Sequence, residues 1–405
     1  MITGRDILYI SSIEWDFLWQ AHQEIARRLA AAGNRVLYIE NTGVRAPGLK
    51  DTKRVASRLG RWLRSLRSGG AREVSPNIFV YSPLVLPPFG PSWQRFLNRR
   101  VFLRQLRSIT KAMGITDPLL WTYLPTDTAV DIIRLHKSSR SVVVYYSMAD
   151  FSLLTPNRSS LEKSEKDLVS MSDVVFANCS ALANKLSTRG KGVPVFPPGV
   201  DMSAFPEWST TEKAADPLNL DKLPRPIIGY VGGLHRLVDY DLLVALAHSR
   251  PSWSWVFLGA HQVQLDQLKE LPNVYLLGQQ AHGKLAEHMW FFDVCLVPYL
   301  NTLEMKTVVP TKINEYLAAG KAIVSTNLPT VDEFNQRHQI LFTANPTRQD
   351  FLRAIEAALP TAHDGLLQKR RRAVAQQANW ETRLEEMSQL IEANLASPTA
   401  GPKDK

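Results

Sequence analysis

The sequence is poor in cysteine and has no long apolar run, and both shortages limit what the protein can be. Cys179 and Cys295 are its two cysteines in 405 residues. Because they form neither a Cys-x-x-Cys pair nor a cluster with histidines, we expect buried thiols in a reducing compartment and no structural zinc site. No run of roughly 18 uncharged apolar residues is present, so we predict no membrane-spanning helix. The N-terminus lacks a basic-then-apolar leader, and we expect no signal peptide.

Acidic residues are scarce in one segment of the chain. The net charge is +10, and the segment from Arg45 to Lys111 contains 15 basic residues but two acidic ones, Asp51 and Glu73. A surplus confined to one segment indicates a local anionic partner rather than nucleic acid bound along the surface. No zinc-finger or RNA-binding motif accompanies it, so we predict no nucleic-acid partner.

Apolar runs alternate with helical patterns in two successive series, which predicts an α/β protein with two doubly wound, Rossmann-like domains. The first series opens with a strand (7–11), a helix (17–32) and a strand (35–40), and it ends near a strand at 195–196. A polar, proline-containing stretch without apolar periodicity then indicates a linker. We therefore predict an N-terminal domain, a linker, a C-terminal domain and a disordered tail at residues 1–205, 206–226, 227–395 and 396–405.

The most distinctive segment begins at Val309 and reads Val-Pro-Thr-Lys-Ile-Asn-Glu-Tyr-Leu-Ala-Ala-Gly. We predict a short helix after Pro310 that Thr311 caps, so that free backbone N–H groups, the positive helix end and Lys312 face a diphosphate. Glu315, one turn later, has two oxygens that can accept both hydroxyls of a ribose. The alternative is an ordinary helix–strand unit with a lysine and a glutamate on its surface.

A second segment, Gly-Tyr-Val-Gly-Gly-Leu-His-Arg, places two glycines directly after the predicted strand 227–231. Gly232 and Gly233 would let the backbone approach a phosphate closely, and Arg236 could bind it through two parallel hydrogen bonds. His235 could contact the phosphate or the sugar. A simple turn with a packed histidine is the alternative interpretation.

Both segments resemble the donor-binding motifs of bacterial group-1, GT4-like glycosyltransferases of the GT-B type. Four further stretches follow the order of that family: Asp173–Leu182, Pro197–Phe205, Val274–Gly278 and Asp293–Tyr299. The resemblance implies two Rossmann-like domains that face each other across a cleft, a nucleoside-diphosphate-sugar donor and no cofactor. It also implies a role in surface polysaccharide or exopolysaccharide synthesis, with an acceptor saccharide carried on a polyprenyl-diphosphate lipid.

The sequence departs from that family at one acidic position. Many retaining members carry Glu-x7-Glu around the donor helix, and Glu315 matches the second, ribose-binding glutamate. The first glutamate would fall at Thr307, and Glu304 is out of register. This departure slightly favours an inverting mechanism.

Asp150 is the candidate catalytic base for such a mechanism. It follows the predicted strand 142–146, where some inverting GT-B enzymes place an aspartate, and it would take the proton of the acceptor hydroxyl. Arg236, Lys312 and the helix N-terminus would stabilise the departing nucleoside diphosphate, so we predict that no metal is needed. The alternative is that Asp150 is a helix cap or a turn residue.

Ser11, Glu14 and Asp16 are candidates for contacts with the acceptor, because they lie in the loop after the first strand. The alternative is that the carboxylates only favour the start of the next helix. His22, within that helix, is expected to be structural.

The basic segment contains a predicted amphipathic helix at residues 52–67. A cationic helix with a tryptophan on its apolar face is typical of helices that lie on anionic bilayers. A second basic and aromatic patch spans residues 93–107. We predict a cytoplasmic protein attached to the inner face of the plasma membrane, with contacts from Arg54, Arg58, Arg61, Trp62 and Arg64. Packing of the apolar stripe on the N-terminal domain is the alternative.

These patterns together favour a glycosyltransferase. Two other functions stay open. An epimerase of nucleotide sugars on the same fold would need no acceptor, and a non-catalytic nucleotide-sugar-binding protein would need no base.

Overall fold

The computed structural model describes residues 1–40, 70–83, 92–187, 192–207 and 216–396. The chain divides into two compact units. Unit 1 comprises Met1–Pro197 and Glu381–Lys405, and unit 2 comprises Pro198–Trp380.

Two sequence predictions fall outside the described residues. One is the amphipathic helix with the membrane-contact candidates Arg54, Arg58, Arg61, Trp62 and Arg64, and the other is the tail from residue 397. Among the helices that the structure does describe, none is both long and apolar enough to cross a bilayer.

Unit 1 contains a sheet of seven described strands, and apolar runs buried on both faces form most of them, as is typical of parallel sheets. The strands are β1 (Asp6–Ile10), β2 (Arg35–Ile39), β3 (Arg72–Ser75), β4 (Ile78–Tyr81), β5 (Leu119–Thr122), β6 (Val143–Ser147) and β7 (Val174–Ala177). Their order is β3-β4-β2-β1-β5-β6-β7, and only β3 and β4 pair in antiparallel fashion. The six parallel strands have the doubly wound order of a Rossmann fold.

Unit 2 contains a sheet of six described strands with the same parallel order. The strands are β8 (Ile227–Val231), β9 (Ser254–Leu258), β10 (Val274–Leu276), β11 (Val294–Val297), β12 (Ala322–Thr326) and β13 (Phe342–Ala344). Their order is β10-β9-β8-β11-β12-β13. The strand order reverses between β8 and β11, and ligands of doubly wound sheets bind in the crevice at such a point. The predicted α/β fold with two Rossmann-like units is confirmed.

Helices connect these strands. In unit 1 they are α1 (Ala21–Ala31), α2 (Ser92–Ala112), α3 (Asp127–His136), α4 (Arg158–Met171), α5 (Ser180–Leu186) and the C-terminal helix α13 (Trp380–Ala396). In unit 2 they are α6 (Tyr240–Ser249), α7 (Asp266–Lys269), α8 (Leu285–Met289), α9 (Lys312–Ala318), α10 (Pro329–His338), α11 (Arg348–Ala358) and α12 (Gly365–Gln376).

The boundary between the units lies earlier than the predicted linker 206–226. The chain passes into unit 2 after Pro197. Phe205 and Leu220 are both buried in the core of unit 2, so the described parts of the predicted linker belong to that unit.

The C-terminal helix α13 was expected in the second domain but belongs to unit 1. Glu381, in its first turn, forms an ion pair with Arg28 of α1 at 3.4 Å. Apolar periodicity predicts that a helix forms, but it does not say which sheet the helix packs against.

Two local predictions also differ from the structure. The first helix begins at Ala21 rather than near residue 17, because the residues after β1 form a loop tied by backbone bonds such as that from Phe17 N–H to Glu14. The expected strand at 195–196 is reduced to a single bridge between Val195 and Ala177.

Candidate functional site

The loops after β8 and β11 pair with each other at the point where the strand order of unit 2 reverses. The amide of Asp239 donates to the carbonyl of Pro298 at 2.8 Å, and the amide of Leu300 donates to the carbonyl of Leu237 at 2.9 Å. These bonds hold the segment with Gly232, Gly233, His235 and Arg236 beside the segment that leads to α9. The candidate donor-binding residues are therefore gathered at one crevice.

Lys312 reaches from the start of α9 to the loop after β8. Its side chain is 7% exposed, and its ammonium group donates to the hydroxyls of Tyr299 and, at 3.3 Å, Tyr230. The same nitrogen lies 4.7 and 4.8 Å from the centres of the Tyr230 and Tyr299 rings. No acidic side chain neutralises this ammonium among the described residues, so its charge is available to an anion at the crevice.

Gly232 gives the loop room for this lysine. It has a φ of +135°, and a Cβ atom there would lie 3.0 Å from both Cε and Nζ of Lys312. A larger residue would be strained and would also push the ammonium group away. Gly232 was predicted to let the backbone approach a phosphate closely. It thus also leaves space for the side chain of Lys312.

His235 lies half-buried beside the same cluster. Its Nδ1 accepts a hydrogen bond from the amide of Leu237 at 3.2 Å, which leaves the ring proton of the neutral form on Nε2. Burial, followed by the charges of Lys312 and Arg236, lowers the pKa of His235 to about 4. At neutral pH this imidazole is therefore an uncharged hydrogen-bond donor.

Arg236 forms a bidentate ion pair with Glu304. Its Nη1 and Nη2 atoms each lie 2.6 Å from an oxygen of that carboxylate. Glu304 lies on a 3-10 helix, Leu303–Thr307, in the segment between β11 and α9. The guanidinium that was predicted to bind phosphate therefore holds a carboxylate in the structure.

Helix α9 is attached to the sheet through Tyr316. The hydroxyl of Tyr316 accepts from the amide of Val231, the last residue of β8, at 2.8 Å. This bond positions the first turn of α9 at the crevice. Pro310 is buried before that turn, and Thr311 occupies the N-cap position with an exposed side chain that makes no capping bond, unlike the prediction.

Several groups at the crevice have no protein partner within the described residues. They are the carboxylate of half-buried Glu315 and the backbone N–H groups of Gly233, His235, Arg236 and Lys312. A row of unpaired donors next to a buried ammonium suits a diphosphate, and the unpaired carboxylate suits hydroxyl groups.

Asp150 follows β6 in unit 1 and has the capping role that the sequence allowed as an alternative. Its Oδ1 accepts from the amide and hydroxyl of Ser152, at 3.1 and 2.6 Å, and from Lys185 at 2.8 Å. Lys185 also pairs with Glu165 at 3.0 Å. Burial raises the pKa of Asp150, but the hydrogen bonds and charge of Lys185 and the bonds from Ser152 outweigh it and lower that pKa below its ordinary value. Asp150 is thus ionised at neutral pH.

The acceptor-side candidates differ in their exposure. Ser11 is fully buried and shares a 2.6 Å hydrogen bond with the hydroxyl of Tyr38, so its side chain stabilises the loop itself, and its acceptor contact stays a prediction. Asp16 is exposed and forms an ion pair with Arg72 at 2.5 Å. Glu14 is partly buried in the same loop.

His22 has the structural position expected of it. Its Nε2 lies 2.8 Å from the hydroxyl of Ser12, and its ring packs 4.0 Å from that of Tyr123. Burial lowers the pKa of His22 to about 3.

Sequence reasoning missed the tyrosines at the crevice of unit 2. Tyr230 lies inside an apolar strand, and Tyr316 lies on the apolar side of α9, so both resembled core residues. A tyrosine in a fully buried run is itself a signal, because its hydroxyl usually needs a polar partner. Lys185, the partner of Asp150, was missed because 35 residues separate the two.

Comparison with known proteins agrees with this geometry. Residues 225–360 match the family described as "Glycosyl transferases group 1". The chain is also 26% identical over 200 residues to TuaH of Bacillus subtilis, which is named as a teichuronic acid biosynthesis glycosyltransferase. That similarity spans 48% of this chain and about half, 50%, of the length of TuaH.

Two solved structures share the fold over nearly the whole chain. HepE of Anabaena in complex with UDP has a TM-score of 0.69 and 15% identity, covering 96% of this chain and 100% of that one. The α,α-trehalose 6-phosphate synthase of Burkholderia multivorans has a TM-score of 0.64 and 13% identity, covering 98% of this chain and 99% of that one. Residues 225–360 are thus similar to group 1 glycosyl transferases, and the two Rossmann-like units have the fold of GT-B glycosyltransferases.

Proposed function

We propose that this protein is a glycosyltransferase that moves a sugar from a nucleoside-diphosphate-sugar donor to a saccharide acceptor in bacterial surface polysaccharide or exopolysaccharide synthesis. The observation that carries the proposal is the buried Lys312 ammonium beside the Gly232–Gly233 loop. The family match over residues 225–360 and the similarity to a protein named for teichuronic acid synthesis support it.

The donor diphosphate occupies the crevice between the loops after β8 and β11. Lys312 supplies a full charge, and the unpaired N–H groups of Gly233 and His235 supply hydrogen bonds. The carboxylate of Glu315 accepts the ribose hydroxyls. HepE was crystallised with UDP and with UDP-glucose, so a UDP-sugar is the first donor to test.

The leaving nucleoside diphosphate is stabilised by protein charges. Negative charge grows on the diphosphate as the bond to the sugar breaks, and Lys312 with the start of α9 lies where it can offset that charge. Arg236 contributes when it exchanges Glu304 for phosphate. On this proposal the reaction needs neither a metal nor a further cofactor.

Asp150 is the proposed base for the acceptor hydroxyl in an inverting transfer. Its position after β6 places it at the carboxyl end of a strand, and the contacts of the described residues all fall on Oδ1. Its lowered pKa keeps it ionised but makes it a weaker base, since proton transfer favours a base whose pKa is near the working pH.

The proposed acceptor is a saccharide on a polyprenyl-diphosphate lipid, which would place the protein at the cytoplasmic face of the plasma membrane. Glu14 and Asp16 are the proposed acceptor contacts, because Ser11 is buried.

A donor screen tests the proposal. Purified protein is incubated with UDP-, GDP- and dTDP-sugars, with and without a bacterial lipid extract, and nucleoside diphosphate release is measured for wild type, Glu315→Ala and Asp150→Asn. We expect release from one donor that requires lipid and falls in both variants. Lipid-independent conversion of the sugar would support the epimerase instead. Donor binding without any release would support a binding protein.

A further inference from the structure

Helix α2 presents an exposed apolar stripe. Trp93, Phe96, Leu97 and Val101 are between 43% and 60% exposed, and they account for four of the large apolar side chains on the described surface. Their spacing of three and four residues places them along one side of the helix. The stripe occupies the first half of α2, about 12 Å along its axis.

The opposite side of α2 is attached firmly to unit 1. Phe102 and Leu106 are buried in its core. Arg95 and Arg99 bind Asp131 of α3, with two hydrogen bonds each. These contacts orient the helix, so the exposed stripe is a fixed surface of the folded unit.

Basic residues continue the stripe into the second half of the helix. Arg100, Arg104, Arg107 and Lys111 are exposed, and at about 100° per residue they lie within the arc of the apolar residues. The guanidinium of Arg100 lies 5.6 Å from the centre of the Phe96 ring. Within the described residues none of these four cations has an acidic partner, in contrast to Arg95 and Arg99.

We infer that this face of α2 docks on an anionic bilayer, with its aromatic residues among the lipid headgroups and its unpaired cations on the lipid phosphates. Trp93 and the neighbouring arginines are suited to this boundary, because each has an apolar body and a polar or charged end, and Phe96 adds apolar contact beside them. Lys and Arg near an anionic leaflet also gain from its surface potential. Such docking would bring the protein to the lipid-linked acceptor of the proposed function, but the exposed side chains of α2 define the surface independently of that function.

Vesicle co-sedimentation of the full-length protein tests the inference. One set of vesicles is phosphatidylcholine alone, and the other contains phosphatidylglycerol at about one third. Two double variants are compared with wild type: Trp93→Ser with Phe96→Ser, and Arg100→Glu with Arg104→Glu. A matched control, Lys163→Glu with Lys166→Glu, changes the same charge on exposed positions of α4.

We expect wild type and the α4 control to bind the anionic vesicles, and each α2 variant to bind them at least tenfold more weakly. All side chains changed are exposed, and thermal melting confirms that the variants fold. Unchanged vesicle binding in both α2 variants would overturn the inference. So would loss of self-association, seen by light scattering, without a change in vesicle binding, because the stripe would then contact a second copy of the chain. Nucleoside diphosphate release with a water-soluble acceptor is measured separately, so failure of the transferase proposal leaves the binding result interpretable.

Discussion

The ammonium group of Lys312 donates a hydrogen bond to the hydroxyl of Tyr299, and 13 residues of chain separate the two. The first begins α9 and the second follows β11, so this bond joins the two sides of the segment that connects them. Two phenols hold this lysine, and no carboxylate of the described residues neutralises it, so the site is prepared for an anionic ligand before that ligand binds.

Replacing Lys312 by methionine is expected to weaken nucleotide-sugar binding about 10- to 100-fold, because a hydrogen bond to a charged group is worth about 1.5–3 kcal/mol. Isothermal titration with the donor found in the screen measures the change. Lys269→Met, on the exposed side of α7, is the control and should bind as wild type does. Equal affinity in wild type and Lys312→Met would exclude the lysine from the donor site.

The ion pair between Arg236 and Glu304 predicts a strongly non-additive result. Arg236→Met leaves the carboxylate of Glu304 without that partner beside the donor diphosphate, so affinity should fall by about tenfold or more through lost attraction and added repulsion. The double variant with Glu304→Gln should recover part of that loss. Titration of both single variants and the double variant measures the coupling. Simple additivity would show that the two side chains do not share the diphosphate region.

Lys185 provides a test of Asp150 as the base. Removing the lysine charge in Lys185→Met should raise the pKa of Asp150, so the acidic limb of the kcat/KM profile should move to higher pH. Asp150→Asn should lower kcat with little change in donor KM. If the acidic limb of the kcat/KM profile does not move in folded Lys185→Met, a residue other than Asp150 accepts the proton.

His22 predicts a loss of stability in acid. The unfolded histidine takes up a proton near pH 6.5, whereas the folded one does so only near pH 3. Its pKa is lowered by folding, so stability falls as the pH drops through this window, by up to about 1.4 kcal/mol per pH unit. His22→Gln should be less stable than wild type at pH 7 but lose less free energy of unfolding between pH 7 and 4. Urea unfolding measures both, with His248→Gln, at an exposed position of α6, as the control for the substitution itself.

Sequence alone predicted all strands of both sheets except β3 and β13, because buried parallel strands are continuous apolar runs that stand out between amphipathic helices. The sequence also predicted that Gly232 and Lys312 belong to one donor site, since both lie in loops that follow strands. It could not show that Tyr230 and Tyr299 hold Lys312, because a tyrosine in an apolar run looks like any core aromatic. Pairings such as Arg236 with Glu304 depend on how two loops meet, and local periodicity carries no information on that.

Because the chain returns to unit 1 at its C-terminal helix, the two units differ in how they respond to truncation of the chain. Residues 198–380 are one uninterrupted length of chain, and they form an insertion within unit 1. A stop codon after residue 380 would therefore leave unit 2 complete. It would remove from unit 1 the C-terminal helix whose Glu381 pairs with Arg28. Truncation after residue 380 thus removes part of unit 1, whose other residues precede unit 2 in the sequence, and leaves every residue of unit 2 in place.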